Sequence, residues 1–416
     1  MIKTLRMDNG ARAFVDTVRG AGATYIIARI GVGSGHEGED EHGIAHFLEH
    51  MMFHNGGITP VTQRFAAIGA TINASTSTDE TNYYVTVSHD RVAEAIVLLA
   101  EVLTADHLTS AEVDKEREIV LRELETRGSN IHWENFTEAA FGGHPITRPT
   151  IGTEESIDEL DAYQVLEFRE RHYVAANMTV GIVGDVDSEM GLGLLEAAFG
   201  GHTAGQQTEM EPIPYVGGER HEPCRCSRGN IYFGLKLSDR GSPFEAAEDL
   251  LCYLLGGSAA SRLFTELREK RGLAYQVDAD VREFGHRRLL LVDVDGESTA
   301  TRAMLEGAYN VIRDVADGLS EEEVRQSIAL MTTEFGGYWD TLAYRCRLVA
   351  DELALDDKVE CFADYAARLR SVTAAEVVEA ARTSLASPLT LAVHGKKRTL
   401  ASLDDLEPAQ PLVSAA

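Results

Sequence analysis

Cysteine is scarce in this sequence of 416 residues, which contains five. They lie at positions 224, 226, 252, 346 and 361, an odd and sparse set that does not resemble the disulfide framework of a secreted protein. We therefore expect reduced thiols. Cys224 and Cys226 carry donor atoms suited to a second metal ion, but no histidine or cysteine pair of suitable spacing lies near them in the sequence, so we expect none there.

Long hydrophobic runs and positive charge are also in short supply. No run approaches the roughly 18 apolar residues of a membrane span, and the first ten residues lack the apolar core of a secretory signal. These observations predict a cytoplasmic protein without membrane contact. Lys and Arg total 38 against 67 Asp and Glu, a net charge of -29. Such an acidic surface argues against nucleic acid as a partner and favours basic or neutral ligands.

One apolar stretch, residues 43–53, carries three polar side chains that an ordinary core helix would not keep. His46 and His50 are four residues apart, so on a helix both imidazoles stand on one face, and Glu49 lies beside them. Two imidazoles from one helical turn suit Zn²⁺, and a carboxylate that does not bind the metal can take a proton from zinc-bound water. The order His-x-x-Glu-His is the inverzincin pattern. The alternative, two core histidines and a stray glutamate, would bury three polar groups at a cost.

A catalytic zinc normally has three protein ligands, so a third ligand is missing from this stretch. On the predicted helix over residues 109–126, four carboxylates are candidates: Glu116, Glu118, Glu123 and Glu125. Glu116 and Glu123 share one face, whereas Glu118 and Glu125 share a neighbouring one. Spacing alone does not choose among them, and a solvated acidic helix is the ordinary interpretation of any one of these residues.

The order of predicted strands and helices in the first half of the chain repeats in the second half. This repetition predicts an α+β fold of two duplicated domains, each a mostly antiparallel sheet covered by helices. We place a zinc-binding domain at 1–200, a linker at 201–216 and a second domain at 217–416. Superposing the halves sets Ala246, Asp249 and Leu250 opposite the three polar residues of the first half, so the second domain has lost the metal site.

Three segments together resemble the pitrilysin (insulinase) family of zinc peptidases: His46-Phe-Leu-Glu-His50-Met-Met-Phe53, Gly69-Ala-Thr-Ile-Asn73-Ala74 and Glu116-Arg-Glu-Ile-Val-Leu-Arg-Glu123. The resemblance extends over nearly the whole chain and is strongest to the half-clamshell members similar to mitochondrial processing peptidase. It implies one Zn²⁺ per chain held by His46, His50 and Glu123, with Glu49 as general base and Glu116 steadying the site.

The same resemblance implies how substrate is bound. Arg268 and Tyr275 match a family pair that reaches the substrate, and Asn73, Ala74 and Ser75 match the edge strand that pairs with an extended peptide. Because one chain holds both sets, we expect a homodimer whose active sites are completed in trans. The predicted substrates are peptides, with a bias towards basic ones. The alternative is a catalytically silent peptide-binding or scaffold homologue, against which the intact zinc residues argue.

Overall fold

A computed structural model describes residues 2–54, 59–104, 108–127 and 131–406. Its described strands are β1 Ile2–Arg6, β2 Arg12–Thr17, β3 Thr24–Ile30, β4 Thr71–Thr76, β5 Thr81–Val87, β6 Met178–Gly184, β7 Gly218–Cys224, β8 Arg228–Lys236, β9 Ala274–Phe284, β10 Arg287–Glu297 and β11 Thr390–Lys396. The described α-helices are α1 Ile44–Met52, α2 Val61–Ala67, α3 Val92–Thr104, α4 Ser110–Arg127, α5 Ile131–Phe141, α6 Glu154–Glu159, α7 Ala162–His172, α8 Ser188–Phe199, α9 Glu245–Gly256, α10 Thr301–Asp317, α11 Glu321–Trp339, α12 Leu342–Asp356, α13 Phe362–Arg370 and α14 Ala374–Leu385. A π-helix spans Phe264–Lys270.

The first sheet has the strand order β1-β2-β6-β3-β5-β4, and only β2 and β6 run parallel among its pairs. The second sheet has the order β7-β11-β8-β10-β9, again with a single parallel pair, β7 and β11. Apart from the additional strand β1, the two sheets repeat the same topology in the same chain order. The prediction of a duplicated α+β fold is confirmed.

The two compact units exchange segments of the chain. The first unit comprises residues 1–129, 145–212 and 335–364, and the second comprises residues 130–144, 213–334 and 365–416. The sequence analysis predicted two continuous domains, at 1–200 and 217–416, and did not include this exchange of segments. The predicted linker at 201–216 forms no helix or strand.

Each exchanged segment contributes a helix to the sheet of the unit it joins. In the first unit, α12 buries Cys346, Val349 and Leu353 against one face of the sheet. In the second unit, α5 lies against β11, β7 and β8. A sheet that is apolar on both faces needs cover on both, and these helices provide it.

The other face of the first sheet carries the main core of that unit. Helix α1 lies within this core, with Phe47, Leu48 and Met51 fully buried. Helices α3, α7 and α8 cover the same core with apolar side chains. The polar residues of α1 are therefore held on a helix whose orientation is fixed by packing.

Two cysteines depart from the expectation of reduced thiols. Cys224, at the end of β7, and Cys226, just beyond it, are joined by a disulfide, and their Cα atoms are 5.3 Å apart. That separation lies in the normal range for a disulfide, which the spacing of two residues permits. Cys252, Cys346 and Cys361 are free thiols, as expected.

Among residues 2–54, 59–104, 108–127 and 131–406, no helix is both long enough and apolar enough to span a bilayer.

Candidate metal centre

Helix α1 starts at a fixed point because of the residues before it. Gly43 has a φ of +87°, and a Cβ there would lie 2.8 Å from the carbonyl oxygen of Ile151, so only glycine fits. The buried carboxylate of Glu37 accepts hydrogen bonds from the backbone N–H groups of Gly43 (2.9 Å) and Ala45 (3.0 Å). Burial raises the pKa of Glu37 to about 8, although these two hydrogen bonds oppose the rise. Together, these contacts fix the register of α1.

The three polar residues of α1 lie together, as their spacing predicts. His46 is 6% exposed and Glu49 is 8% exposed. The ring centroids of His46 and His50 are 4.7 Å apart. Polar groups this deeply buried require partners, and the partners come from α4 and β4.

Helix α4 brings Glu123 to both imidazoles. Its Oε2 atom lies 3.4 Å from Nε2 of His50 and 3.9 Å from Nε2 of His46. The three donor atoms all lie within 4.8 Å of one another. Two ligands at about 2.0 to 2.1 Å from one tetrahedral ion are roughly 3.3 Å apart, so this donor set fits a zinc ion.

The other three candidate carboxylates of α4 divide into one buried residue and two at the surface. Glu118 pairs with Arg122 at 3.1 Å on the exposed side of the helix, and Glu125 is also exposed. Glu116 is buried instead. The choice that spacing left open is thus made by how α4 lies against α1. The helix begins at Ser110, and the preceding Thr109 is its cap, since its hydroxyl accepts from the N–H of Glu112.

Glu116 contacts the histidines from behind the donor set. Its Oε1 lies 2.7 Å from Nδ1 of His50, and its other oxygen bonds Nε2 of His54. Burial acts to raise the pKa of Glu116, but the two histidine hydrogen bonds outweigh burial and lower the pKa to about 2. With Nδ1 of His50 held by a carboxylate, its Nε2 faces Glu123, which is the arrangement that orients a metal-binding imidazole.

Two residues of this site were missed by the sequence analysis. His54 stands four residues after His50, so the same i, i+4 spacing that singled out the first two histidines could have found it. Thr76 donates a 2.6 Å hydrogen bond from its hydroxyl to Oε2 of Glu49. Because Thr76 is on β4, far from α1 in sequence, no local pattern points to it.

Strand β4 also carries the residues predicted to bind substrate. It is an edge strand of the first sheet as described, with β5 on one side. Asn73 and Ser75 are exposed, whereas Ala74 and Thr76 are half-buried. An edge strand offers backbone N–H and C=O groups to an added strand. The predicted peptide-binding segment is therefore followed directly by Thr76, the residue that contacts Glu49.

Arg268 and Tyr275 belong to the second unit. Arg268 lies on the π-helix with its guanidinium 4.8 Å from the ring centroid of Phe264. Tyr275 is on β9, 53% exposed, and the guanidinium of Arg228 lies 5.6 Å from its ring centroid. Both predicted substrate contacts are thus at the surface of their unit.

Helix α9 of the second unit occupies the place in the topology that α1 has in the first. It contains no histidine, and its Glu248 and Asp249 bind the guanidinium of Arg288, which is 1% exposed. The Arg288 Nη1 to Glu248 Oε2 distance is 2.7 Å. A buried guanidinium at this position repels a metal ion.

Comparison with protein families finds two matches along the chain. Residues 21–154 match the model described as insulinase, peptidase family M16. Residues 159–331 match the model described as peptidase M16 inactive domain. The first match contains α1 and α4, and the second contains α9.

Curated relatives and solved structures give a consistent result. An uncharacterized zinc protease of Mycobacterium tuberculosis is 29% identical over 413 residues, which cover 95% of this chain and 94% of the relative. An uncharacterized zinc protease of Rickettsia bellii is 26% identical over 385 residues, covering 90% and 92%. The crystal structure of a protease from Helicobacter pylori matches with a TM-score of 0.86 at 21% identity, covering 95% of this chain and 99% of that one. A peptidase M16 inactive domain from Pseudomonas fluorescens matches with a TM-score of 0.85 at 19% identity, covering 95% and 98%.

Proposed function

Since this chain belongs to the insulinase family, peptidase family M16, we propose that it is a zinc metallopeptidase that hydrolyses extended peptides. One observation carries the proposal. Two imidazole nitrogens and one carboxylate oxygen lie within 4.8 Å of one another. The buried Glu49 lies beside them and is not one of these three donors. A structural zinc site would have no use for Glu49.

His46, His50 and Glu123 would hold the ion, one per chain. When bound, zinc supplies Lewis acidity, which makes water a better nucleophile at neutral pH and polarises a peptide carbonyl. Glu116 orients His50 and keeps its Nε2 directed towards the site. The donor set of two nitrogens and one oxygen leaves room for a further ligand, as catalytic sites require.

In the proposed hydrolysis, Glu49 is the general base. It takes a proton from the attacking water and returns that proton to the leaving amine. The hydroxyl of Thr76 donates to one carboxylate oxygen at 2.6 Å, which fixes the position of the side chain. The base is therefore positioned by the same strand that would align the peptide.

The substrate would add to the edge of β4 as an extended strand. Backbone groups of Asn73, Ala74 and Ser75 would pair with it, and their small or polar side chains allow another backbone to approach. The net charge of -29 supports a preference for basic peptides. Equal rates on matched acidic and basic peptides at low salt would remove this preference from the proposal.

Arg268 and Tyr275 would stabilise the developing oxyanion, acting across a homodimer from the partner subunit. The exposure of Tyr275 and the presence of both residue sets in one chain support this arrangement. Mixing a Tyr275→Phe chain with a Glu49→Gln chain tests it. We expect activity to reappear in mixed dimers, and its absence would contradict action in trans.

A catalytically silent binding protein is the alternative function. The intact set of His46, Glu49, His50 and Glu123 argues against it, because a silent homologue has no need of a buried base. The decisive experiment measures zinc content and cleavage of a quenched peptide by wild type, Glu49→Gln and the exposed control Glu118→Gln. Retained zinc with cleavage lost only in Glu49→Gln supports the enzyme. No cleavage by zinc-loaded wild type on any peptide would favour the binding protein.

A further inference from the structure

The short connection between β7 and β8 crosses the end of β11. Both strands pair with β11, one on each side, so residues 225–227 must pass over it. Cys224 ends β7 and Cys226 lies in the connection. Both sulfur atoms are thereby brought to the end of the strand that carries His394, which is 168 residues away in sequence.

Three donor atoms meet at this point of the second unit. The Sγ atom of Cys226 lies 3.2 Å from Nε2 of His394. The sulfurs of Cys224 and Cys226 and a ring nitrogen of His394 all lie within 4.8 Å of one another. The two sulfurs are joined by the disulfide, and the backbone N–H of Cys226 donates to Cys224 Sγ at 3.2 Å, a contact that would stabilise a thiolate once the disulfide is reduced. All three residues are half-buried, so an ion can reach them.

A carboxylate lies beside the ring nitrogen of His394 that is farther from Cys226. Glu222 is two residues before Cys224 on β7, hence on the same face, and it lies directly opposite His394 in the parallel pairing. Its Oε2 is 3.2 Å from Nδ1 of His394, which leaves Nε2 facing Cys226. A carboxylate on one ring nitrogen and a metal on the other is a recurring arrangement at zinc sites.

A second imidazole lies beside the three donors. Helix α5 places His132 with its ring centroid 5.1 Å from that of His394. Both ring nitrogens of His132 are buried and form no hydrogen bond within the part of the chain that the structure describes. His132 thus places a second imidazole beside the three donors.

We propose that Cys224, Cys226 and His394, in the reduced protein, bind a zinc ion that is separate from the one at α1. Reduction by a phosphine breaks the sulfur–sulfur bond: phosphorus gives two electrons and takes an oxygen from water, and the sulfurs take two protons. Zinc then displaces those protons, since the thiolate is the ligand. The ion would tie the β7–β8 connection to β11, a structural role that is independent of the proposed peptidase activity.

Cobalt provides a selective probe, because sulfur-to-cobalt charge transfer absorbs in the near ultraviolet and, of the two proposed metal sites, this one has the sulfur ligands. The full-length protein is reduced with a phosphine, freed of metal with a chelator and titrated with Co²⁺, alongside His46→Ala, Cys226→Ser and the control Cys361→Ser. We expect one charge-transfer equivalent per chain in wild type, His46→Ala and Cys361→Ser, and its loss in Cys226→Ser. Zinc should abolish the absorption by displacing cobalt.

The role of Glu222 has its own readout. Replacing it with glutamine should weaken zinc binding at this site about 10- to 100-fold while leaving the cobalt spectrum of the loaded site in place. Unchanged affinity would refute the orienting role. The whole proposal is overturned if the reduced wild type shows no charge-transfer absorption, or if the absorption survives in the double variant of Cys224→Ser and Cys226→Ser. Neither result would bear on cleavage by the α1 site.

Discussion

Glu116→Gln tests how the metal-binding histidines of α1 are oriented, since this carboxylate contacts both His50 and His54. The fall of its pKa from 4.5 to about 2, at about 1.4 kcal/mol per pKa unit, corresponds to about 3 kcal/mol favouring the charged form in the fold. The side chain is 5% exposed, so solvent screens little of this energy. Glutamine keeps the shape but can no longer accept from both His50 and His54.

Zinc affinity is the first measured quantity. Loss of a carboxylate that orients a metal-binding histidine costs about 10- to 100-fold in affinity, and we expect that loss for Glu116→Gln at neutral pH. The assay is competition for zinc with a chromophoric chelator. The matched control is Glu118→Gln, two residues away on the exposed side of α4, which should bind zinc as wild type does. Zinc affinity of Glu116→Gln equal to that of the control would refute the reasoning.

The pH dependence gives a second readout of the same variant. Burial lowers the pKa of His50, but the hydrogen bond and charge of Glu116 outweigh it and raise the pKa above 6.5. Protons therefore compete with zinc below that raised pKa, and affinity should fall as the pH drops through it. In Glu116→Gln the midpoint should move to lower pH. The metal-free wild type should also lose stability between pH 4.5 and about 2, where Glu116 becomes protonated first in the unfolded chain and then in the fold, and the variant should lack that loss.

Three further predictions concern the hydrogen bond to Glu49, the start of α1 and the buried Arg288 beside α9. Thr76→Val should slow peptide cleavage about 10-fold without changing zinc content, because the charged hydrogen bond to Glu49 is lost; a wild-type rate would contradict this. Gly43→Ala should lower the unfolding temperature, since its φ is positive and its surroundings are tight, whereas Gly193→Ala within α8, where a Cβ meets nothing within 4 Å, should raise it slightly. Arg288→Met should cost about 3 to 5 kcal/mol in denaturant unfolding by leaving buried carboxylates unpaired, and a loss below about 1 kcal/mol would show that they are solvated.

The part of the site that sequence predicted best is the part that is local. His46, Glu49 and His50 follow from helical spacing, because one helix fixes all three relative to one another. Glu123 did not follow from spacing, since four carboxylates on α4 satisfied the same pattern and only the approach of α4 to α1 separates them. Its selection came from the family resemblance, and the structure brings it to the imidazoles.

The duplicated sheets were predictable because the order of elements repeats along the chain, and order determines strand neighbours in a topology of this kind. The exchanged helices were not predictable in this way. An amphipathic helix such as α12 shows that it has an apolar face but not which sheet receives it. The contact between Cys226 and His394 was missed for a related reason. The spacing rules for metal ligands apply to residues close in sequence, and these two are 168 residues apart.

Helix α12 determines when, during synthesis, the sheet of the first unit can be covered on both faces. The sheet of the first unit is finished in sequence by residue 184, but Phe14, Tyr25 and Ile27 on one of its faces are covered by residues 346–353. During synthesis on the ribosome, that face of the sheet stays exposed after residue 184 until more than 150 further residues have been added. A polypeptide stopped at the linker would leave this apolar surface facing water, so the amino-terminal half depends on the carboxy-terminal half for its own solubility as well as for any partnership in catalysis.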